Sequence, residues 1–499
     1  MIAEEQASPS AVQRVASLAR GARWEVMLPV TAAALVLITG AIGLGRPSYW
    51  FDEAASLSGA DRSPSELAAL IQTVDAVHAA HYALLSGWID LFGAGEVATR
   101  ALSLIALAAA CAGFVLFVHR FRGPLIAAAA GLCFAVLPGI AWSGAEARGY
   151  AFALAACVWA LAALQSALKR GGWRWSVYGL LLLVSLLFSI MTVLVIVAHA
   201  VYVRLIGRVG VLRPGFVLAW GASLLAGIPL FLAAMTQRQQ LDWIDLDPIR
   251  LAGKVAIGQL FLGPRDGAGL SSTLPSAVIA AIIVGALGCV ALVAARGPAR
   301  SSVLFAVTWF AVPTLALAIP VLVGVELYQE RYLVFAAPGA CLLIAEGLLL
   351  LRPRKVLAPV VLVLLVAALI GPLVAQREEG SKAGDEYRAL ADVGASADTV
   401  VYTVPTARGI GIAYPRALDG AEDVLLLSPP AASASLWGIS AASPEPPAEA
   451  HGRVAVYSPS DDGESLAAVS EALERWGCVP AERLSAVRFS VEVYDCGAG

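Results

Sequence analysis

Long apolar runs constrain this chain more than any other feature of its sequence. They recur about eleven times before residue 376, at 24–45, 99–118, 123–142, 150–168, 176–190, 191–207, 215–234, 275–295, 302–322, 332–351 and 355–375. An α-helix needs roughly 20 apolar residues to cross a bilayer. Apolar residues make up 59% of the chain and charged residues 14%, against about 45–50% and about 25% in soluble globular proteins. The sequence therefore predicts an α-helical polytopic membrane protein with about eleven transmembrane helices.

The charges of the loops predict which side of the membrane each loop faces. If the tail 1–23 is cytoplasmic, every inside loop is short and basic, as at Arg120 and Arg122, and most loop acids lie outside. This asymmetry is the positive-inside pattern. No small-residue cleavage site follows the first run, so we expect that run to remain as a membrane span. Two outer loops are long, 46–100 and 237–274. The first contains two short helical patterns, 65–77 and 81–92, and the second an apolar patch, 255–262, that could lie on the lipid or re-enter it.

The composition changes after the last apolar run, which closes the membrane domain 24–375. Residues 376–499 are polar, with β-like runs at Thr399–Thr403, Asp423–Leu427, Arg453–Tyr457 and Val487–Tyr494 and a helical pattern over Ser465–Trp476. The segment 428–450 is rich in Pro, Ala and Ser and is typical of an irregular loop. Helix parity places this region outside, as an extracytoplasmic α/β domain in which Cys478 and Cys496 could pair.

Four polar clusters interrupt the predicted outer ends of the apolar runs. They are Asp52-Glu53, His78-Ala79-Ala80-His81-Tyr82, Glu146-Ala147-Arg148-Gly149-Tyr150 and Glu330-Arg331-Tyr332. The planar guanidinium of arginine can bind two phosphate oxygens at once. A carboxylate can deprotonate a hydroxyl, and a histidine can orient that carboxylate or donate a hydrogen bond to a leaving phosphate. The topology places all four clusters at one membrane face, which favours a one-sided site.

In order and position, these clusters resemble those of the GT-C glycosyltransferases that use a polyprenyl-phosphate sugar, of the protein O-mannosyltransferase and aminoarabinose-transferase type. The likeness covers roughly residues 24–375: Asp-Glu directly after the first span, a histidine-rich segment, a Glu-x-Arg-x-Tyr turn, and Arg331-Tyr332 opening a late span. Many members read His-Pro-Pro-Leu-Tyr in the first loop, where this chain reads His78-Ala79-Ala80-His81-Tyr82.

The resemblance implies a role for each cluster. Asp52 would be the general base of an inverting transfer, with Glu53 shaping the site. Arg331, with Arg148 and Tyr332, would hold the donor phosphate. His78, His81, Tyr82, Glu146, Tyr150 and Glu330 would contact substrate. The donor would be a polyprenyl-phosphate sugar, with mannose the expected sugar, and the acceptor a hydroxyl of a cell-envelope glycolipid, glycan or protein.

Each motif also has a structural interpretation. Asp52-Glu53 could mark a helix exit, Glu146 and Arg148 an ordinary loop pair, and Glu330-Arg331 a helix stop. His78 and His81 share a helix face and could ligate a metal. No Cys or third His lies in an outer membrane-domain loop, so we expect no bound metal, although a divalent cation remains an alternative. Three acids at 242, 245 and 247 are typical of a solvated loop.

Two other classes of function compete with an enzyme. A transporter or flippase of a lipid-linked sugar would place ionisable residues near the bilayer midplane, where Glu346 is the main exception to an apolar interior. A non-catalytic envelope-assembly protein would use the outer loops only to bind a partner. The net charge of −3 gives no indication of nucleic-acid binding. Few lysines beside many arginines, with much Ala and Gly, suggest a high-GC bacterial genome. We expect a multi-pass protein of the plasma membrane, with membrane lipids around it.

Overall fold

The computed structural model describes residues 11–207, 213–241, 244, 246–264, 270–325, 327–441 and 452–497. The helices before residue 376 are α1 (Ala11–Ala41), α2 (Phe51–Ala60), α3 (Pro64–Thr73), α4 (Ala79–Phe92), α5 (Glu96–Arg122), α6 (Pro124–Val136), α7 (Pro138–Gly144), α8 (Tyr150–Arg170), α9 (Arg174–Phe188), α10 (Val195–Gly207), α11 (Pro214–Thr236), α12 (Pro248–Gly253), α13 (Leu270–Ala294), α14 (Pro298–Val321), α15 (Ala337–Leu350) and α16 (Arg354–Ala375). Short 3-10 helices lie at Ala76–His78, Ile190–Leu194, Arg238–Leu241 and Glu330–Ala336, and a π-helix at Lys254–Leu262.

Eight helices of the described chain are long and apolar enough to cross a membrane. They are Arg23–Ala41, Glu96–Arg122, Tyr150–Arg170, Pro214–Thr236, Ser272–Ala294, Pro298–Val321, Glu330–Leu350 and Arg354–Ala375. The pair α6 and α7 passes the same test together and would be a ninth span. The predicted runs 176–190 and 191–207 form shorter helices, Arg174–Phe188 and Ile190–Ile206. The fold class is confirmed, and the count of eleven spans stays a prediction.

The break between α6 and α7 has a local cause. Leu137 is extended (φ −76°, ψ 118°) and precedes Pro138. A proline has no N–H to donate, and it disfavours helical geometry in the residue before it. The two helices therefore meet at 67°, and α7 leads the chain into the Glu146–Tyr150 turn.

The first outer loop is helical almost throughout. The predicted helices at 65–77 and 81–92 correspond to α3 and α4. Ser63 caps α3: its Oγ accepts from the Glu66 N, and its own N donates to Glu66 Oε2 at 2.8 Å, which is a capping box. The sequence did not predict α2, which carries Asp52 and Glu53 in its first turn.

The second outer loop packs partly into the protein. Asp242 and Asp245 lie outside the described residues, whereas Asp247 caps α12 by accepting from the N of Ile249 and of Arg250. The apolar patch 255–262 was expected to lie on or re-enter the lipid. It forms most of the π-helix, whose last residues are buried in the main apolar core.

The C-terminal region is a small α/β domain. Its strands are β1 (Thr399–Tyr402), β2 (Glu422–Asp423), β3 (Leu426–Ser428), β4 (Ile439–Ser440), β5 (Gly452–Pro459), β6 (Val479–Ser485) and β7 (Phe489–Cys496), with helices α17 (Tyr387–Val393), α18 (Gly409–Ala413) and α19 (Gly463–Arg475) and 3-10 helices at Glu379–Ser381 and Pro405–Arg408. The five-stranded sheet has the order β2-β1-β5-β7-β6. Strand β1 is parallel to β2 and β5, and the other pairs are antiparallel. Cys478 and Cys496 form a disulfide.

Two strands of this domain, β4 and β6, were not predicted from the sequence. The edge strand β6 is exposed along nearly all its length, so it has no buried face to give a periodic pattern. Strand β4 lies within the segment expected to be an irregular loop and pairs with β3; residues 442–450 of that segment lie outside the described residues.

The C-terminal α/β domain, which we call the outer domain after its predicted side of the membrane, packs directly on the loop 46–100, predicted to lie on the same side. Tyr49, Ala54 and Leu57 share an apolar cluster with Tyr387 and Ile410. Further along α2, Ser58 Oγ donates to the Leu436 O at 2.6 Å. Helix α2 therefore lies between the membrane helices and the outer domain.

Candidate functional site

Asp52 and Glu53 are neighbours in the first turn of α2, but their carboxylates contact different residues. Glu53 makes a bidentate ion pair with Arg100 of α5, at 2.8 Å from Nε to Oε1 and 2.7 Å from Nη2 to Oε2. Both side chains are fully buried. Glu53 Oε1 also accepts from the Ala147 N at 2.9 Å. Glu53 thus joins α2 to α5 and to the Glu146–Tyr150 turn, and its part in shaping the substrate site stays a prediction.

Asp52 faces two arginines from distant parts of the chain. Arg331 Nη1 lies 2.7 Å from Asp52 Oδ2, and Arg148 Nη2 lies 3.5 Å from Oδ1. The Asp52 side chain is 12% exposed. Burial alone would raise the pKa of Asp52, but the charges of Arg331 and Arg148 lower the pKa to about 2. Asp52 is therefore a carboxylate at neutral pH, and the two guanidinium groups converge on it.

The Glu146–Tyr150 turn holds Arg148 in place. Glu146 Oε2 accepts from Trp142 Nε1 at 2.9 Å, and the Arg148 O accepts from Ser103 Oγ at 3.2 Å. Burial raises the pKa of Glu146, against the opposing charges of Lys382 and Arg331. Within the described chain, Arg148 Nε and Glu146 Oε1 are buried without a hydrogen-bond partner, so both retain bonding capacity at the site.

The histidine cluster lines the same region from α4. Tyr82 Oη accepts from Arg148 Nη1 at 3.3 Å and donates to Asp75 Oδ2 at 2.5 Å. The His78 ring lies 6.0 Å from the Tyr82 ring. Burial lowers the pKa of His81 to about 3 and puts the pKa of His78 well below its ordinary value, so both rings are neutral at pH 7. His81 is almost fully buried and packs against Phe152.

The fourth cluster, Glu330-Arg331-Tyr332, divides its residues between two environments. Tyr332 lies beside Tyr150, with ring centroids 6.1 Å apart, and the Arg331 guanidinium lies 5.4 Å from the Trp50 ring. These aromatic rings enclose the arginine near Asp52. Glu330 forms an ion pair with Lys254 at 3.1 Å, which ties the π-helix to the start of the Glu330–Leu350 span.

The carboxylates of Glu53 and Glu330 pair with Arg100 and Lys254. The side chains of the other predicted site residues lie near Asp52 and its two arginines or contact their partners. Among the described residues, no group of three or more His, Cys, Asp or Glu side chains is placed to hold a metal ion. Three residues that were not predicted from the sequence contact the elements that carry the site: Arg100, Lys382 and Asp385. Arg100 had a recognisable signal, because an arginine at the border of an apolar helix must be paired.

Comparison with known proteins was made by sequence and by structure. No family model matches the sequence, and no curated protein matches it. The structure, however, is similar to ArnT from Cupriavidus metallidurans in the apo state, with a TM-score of 0.57 and 13% identity over 93% of this chain and 97% of that chain. ArnT bound to undecaprenyl phosphate matches over the same shares, with a TM-score of 0.55 and 12% identity.

The chain has the GT-C fold. This fold includes both the membrane helices and the outer domain, since the match to ArnT spans nearly the whole of each chain. The Archaeoglobus fulgidus oligosaccharyltransferase in the apo form also aligns, with a TM-score of 0.48 and 12% identity over 79% of this chain and 64% of that chain. The match to ArnT confirms the fold that the resemblance implied.

Proposed function

We propose that this protein is a membrane glycosyltransferase that uses a polyprenyl-phosphate-linked sugar. The observation that carries the proposal is the convergence of Arg331 and Arg148 on the Asp52 carboxylate. Two buried guanidinium groups beside one carboxylate suit a donor with a negatively charged phosphate leaving group. ArnT, which shares the fold, has been solved bound to undecaprenyl phosphate, and this supports the same class of donor here.

The arrangement suggests one chemical step. Asp52 takes the proton of an acceptor hydroxyl while that oxygen attacks the anomeric carbon of the sugar. The bond from the anomeric carbon to the phosphate oxygen breaks, and the configuration at that carbon inverts. The phosphate leaves with the electron pair, and Arg331 and Arg148 stabilise the negative charge that develops on it. Tyr332, Tyr150 and Trp50 enclose the site and exclude water.

The distribution of charge favours an enzyme over a transporter. Asp52, Arg148 and Arg331 lie at one end of the spans, close to the outer domain. Glu346, the main ionisable residue inside a predicted span, is paired with Arg122 at 2.6 Å, at the opposite end of α5 from Glu96. A carrier that moves a charged substrate would need such groups along its path.

We place the site on the extracytoplasmic face of a bacterial plasma membrane. Short basic loops lie at the other ends of the spans, and the Cys478–Cys496 disulfide in the outer domain suits an oxidising compartment. The acceptor would be a hydroxyl of a cell-envelope glycolipid, glycan or protein, and the sugar mannose.

The proposal is tested with purified protein in nanodiscs. A radiolabelled polyprenyl-phosphate-mannose donor is supplied with a membrane-lipid acceptor extract, and wild type is compared with Asp52→Asn. The exposed Asp61→Asn, in the cap of the same helix, is the matched control. We expect label in a new product with wild type and Asp61→Asn but not with Asp52→Asn.

Two results would overturn parts of the proposal. Retained transfer by Asp52→Asn removes Asp52 as the base. Movement of the donor across sealed vesicles without any transfer, with mannose and with arabinose donors, would favour the transporter.

A further inference from the structure

The segment that joins the last span to the outer domain crosses directly over the candidate site. We call residues 376–388 the connecting segment. At its start, Gln376 Nε2 donates to the Pro138 O and to the Leu262 O, both at 3.0 Å. At its end, Arg388 Nη2 donates to Glu96 Oε1 at 2.6 Å and to the Gly45 O at 3.1 Å. Both ends are therefore tied to the membrane helices, and the segment cannot move independently of them.

Lys382 reaches from this segment to the Glu146–Tyr150 turn. Its side chain is fully buried, and Nζ donates to the Ala145 O at 2.9 Å and lies 3.9 Å from the centre of the Trp142 ring. A buried lysine is uncommon unless paired. The charges of Glu53 and Glu146 favour the protonated form of Lys382, and those of Arg100 and Arg377 oppose it. Lys382 therefore fixes the residue that begins the turn carrying Arg148.

Asp385 reaches from the same segment to the start of α2. Trp50, the cap residue of α2, makes no side-chain cap bond, and Asp385 Oδ2 accepts instead from the Phe51 N at 3.2 Å. A carboxylate at a helix N-terminus satisfies a free N–H and interacts favourably with the helix dipole. Asp385 thus caps α2, although it lies 334 residues away from Phe51 in sequence. Asp52 is the residue that follows Phe51 in this helix.

These contacts hold both sides of the ion pair between Asp52 and Arg148. One side depends on the α2 N-terminus and Asp385, the other on the turn and Lys382. We propose that Lys382 and Asp385 are positioning residues that set the placement of Asp52 relative to Arg148. This inference rests on the proposed function for its effect on transfer, but its structural part does not depend on that function.

The charges around the two residues predict different responses to pH. Burial lowers the pKa of Lys382 to about 8, with Glu53 and Glu146 opposing the shift. Burial raises the pKa of Asp385 to about 6, and Arg488, 3.4 Å away, opposes that shift, whereas the Asp52 charge adds to it. Tyr387 and the Phe51 N–H face the same carboxyl. The charged forms of both positioning residues therefore coexist between about pH 6 and about pH 8.

The test compares conservative and disruptive variants at each position. Lys382→Arg keeps a buried cation and Lys382→Met removes it; Asp385→Asn keeps an oxygen that can accept from the Phe51 N, and Asp385→Leu removes it. Glu378→Gln is the control, since Glu378 is an exposed charged residue of the same segment. Hydrogen exchange of peptides covering 50–60 and 145–150 is measured for each variant, together with kcat and KM for the donor between pH 5 and pH 9.

We expect each disruptive variant to raise exchange locally. Lys382→Met should affect peptide 145–150 and Asp385→Leu peptide 50–60, each with a loss of kcat on the order of a hundredfold, as for a misplaced catalytic group. Lys382→Arg and Asp385→Asn should retain more activity than their disruptive partners, and Asp385→Asn should remove the loss of activity that wild type shows below about pH 6. The control should match wild type.

Either of two results would overturn the inference. One is unchanged exchange in both peptides in the disruptive variants. The other is changed exchange with kcat as in wild type. The failure of the proposed function is distinguishable: wild type would then transfer no sugar, while the exchange measurements would still decide whether Lys382 and Asp385 order the two elements.

Discussion

Arg331 Nη1 and Asp52 Oδ2 lie 2.7 Å apart, so the residue proposed to bind phosphate is paired with the proposed base. Each therefore restrains the other while no phosphate is bound. A carboxylate with a pKa of about 2 is a weak base, because its proton affinity is far below that of an ordinary aspartate at about 3.9.

The first prediction is that a bound lipid phosphate makes Asp52 a stronger base. The phosphate charge should offset the guanidinium charges that lower the Asp52 pKa, so the pKa should rise towards its ordinary value. Infrared difference titration with and without undecaprenyl phosphate would follow the carboxyl band, assigned by its loss in Asp52→Asn. An Asp52 pKa that is the same with and without the lipid would contradict the prediction.

The same pair predicts how acid affects stability. The folded-state pKa of Asp52 is depressed, so its contribution is fully present above about pH 4 and is lost as the pH falls through about 2. At neutral pH the contribution is roughly 2 to 3 kcal/mol. Thermal unfolding in detergent should show Asp52→Asn less stable than wild type at pH 7, with a difference that shrinks below pH 4. Asp61→Asn should show no such trend.

Arg331→Gln and Arg148→Gln should weaken the binding of undecaprenyl phosphate. A hydrogen bond to a charged group contributes about 1.5–3 kcal/mol, which corresponds to roughly a 10- to 100-fold change in Kd. Binding is measured by microscale thermophoresis in nanodiscs, with Arg354→Gln as the control because Arg354 is exposed at the start of α16. Equal affinity in all three variants and wild type would remove the two arginines from the phosphate site.

Among substitutions in the Asp52-Glu53 motif, Glu53→Gln should lower the free energy of unfolding the most. Removing one partner of a buried ion pair costs about 3–5 kcal/mol, because the other charge stays buried without compensation. The double variant Glu53→Leu/Arg100→Met should recover part of this loss, since it removes both charges. The Ala147 N would still lack its acceptor, and the carbonyl oxygens of Leu44, Pro47 and Ser48 would lose their Arg100 donors, so recovery should be incomplete. Chemical denaturation in detergent measures the series; a double variant less stable than Glu53→Gln would contradict this account.

The Cys478–Cys496 disulfide should stabilise the outer domain. It closes a loop with a sequence separation of 18 residues, for which the chain-entropy estimate is about 3 kcal/mol. Cys478→Ser should therefore unfold at a lower temperature than wild type, and reductant should lower the wild-type temperature to match. Cys289→Ser is the control, because Cys289 is a free, exposed cysteine of a membrane helix. An unfolding temperature that is unaffected by reductant would contradict the prediction.

The sequence by itself determined the class of fold and the region of the site. Apolar runs of this length form helices in a bilayer, because the backbone N–H and C=O groups must be hydrogen-bonded within the segment. The polar clusters interrupt helix ends that are otherwise apolar. For this reason the topology placed Asp52, Arg148 and Arg331 at one membrane face, and the family resemblance assigned them to one candidate site. The lengths of the runs did not decide which helices cross the membrane fully. The run that is broken at Leu137-Pro138 and short helices such as α9 are as apolar as complete spans, so composition does not distinguish them.

Only the tertiary structure decided which side chain of each cluster faces the site. Asp52 and Glu53 are adjacent in sequence, but successive residues of an α-helix point about 100° apart. Asp52 therefore turns towards Arg148 and Arg331, and Glu53 towards Arg100. Lys382 and Asp385 depend even more on packing, since they reach the site from beyond the last span. No local pattern records such contacts, because they exist only once α16 and the outer domain have closed over α2.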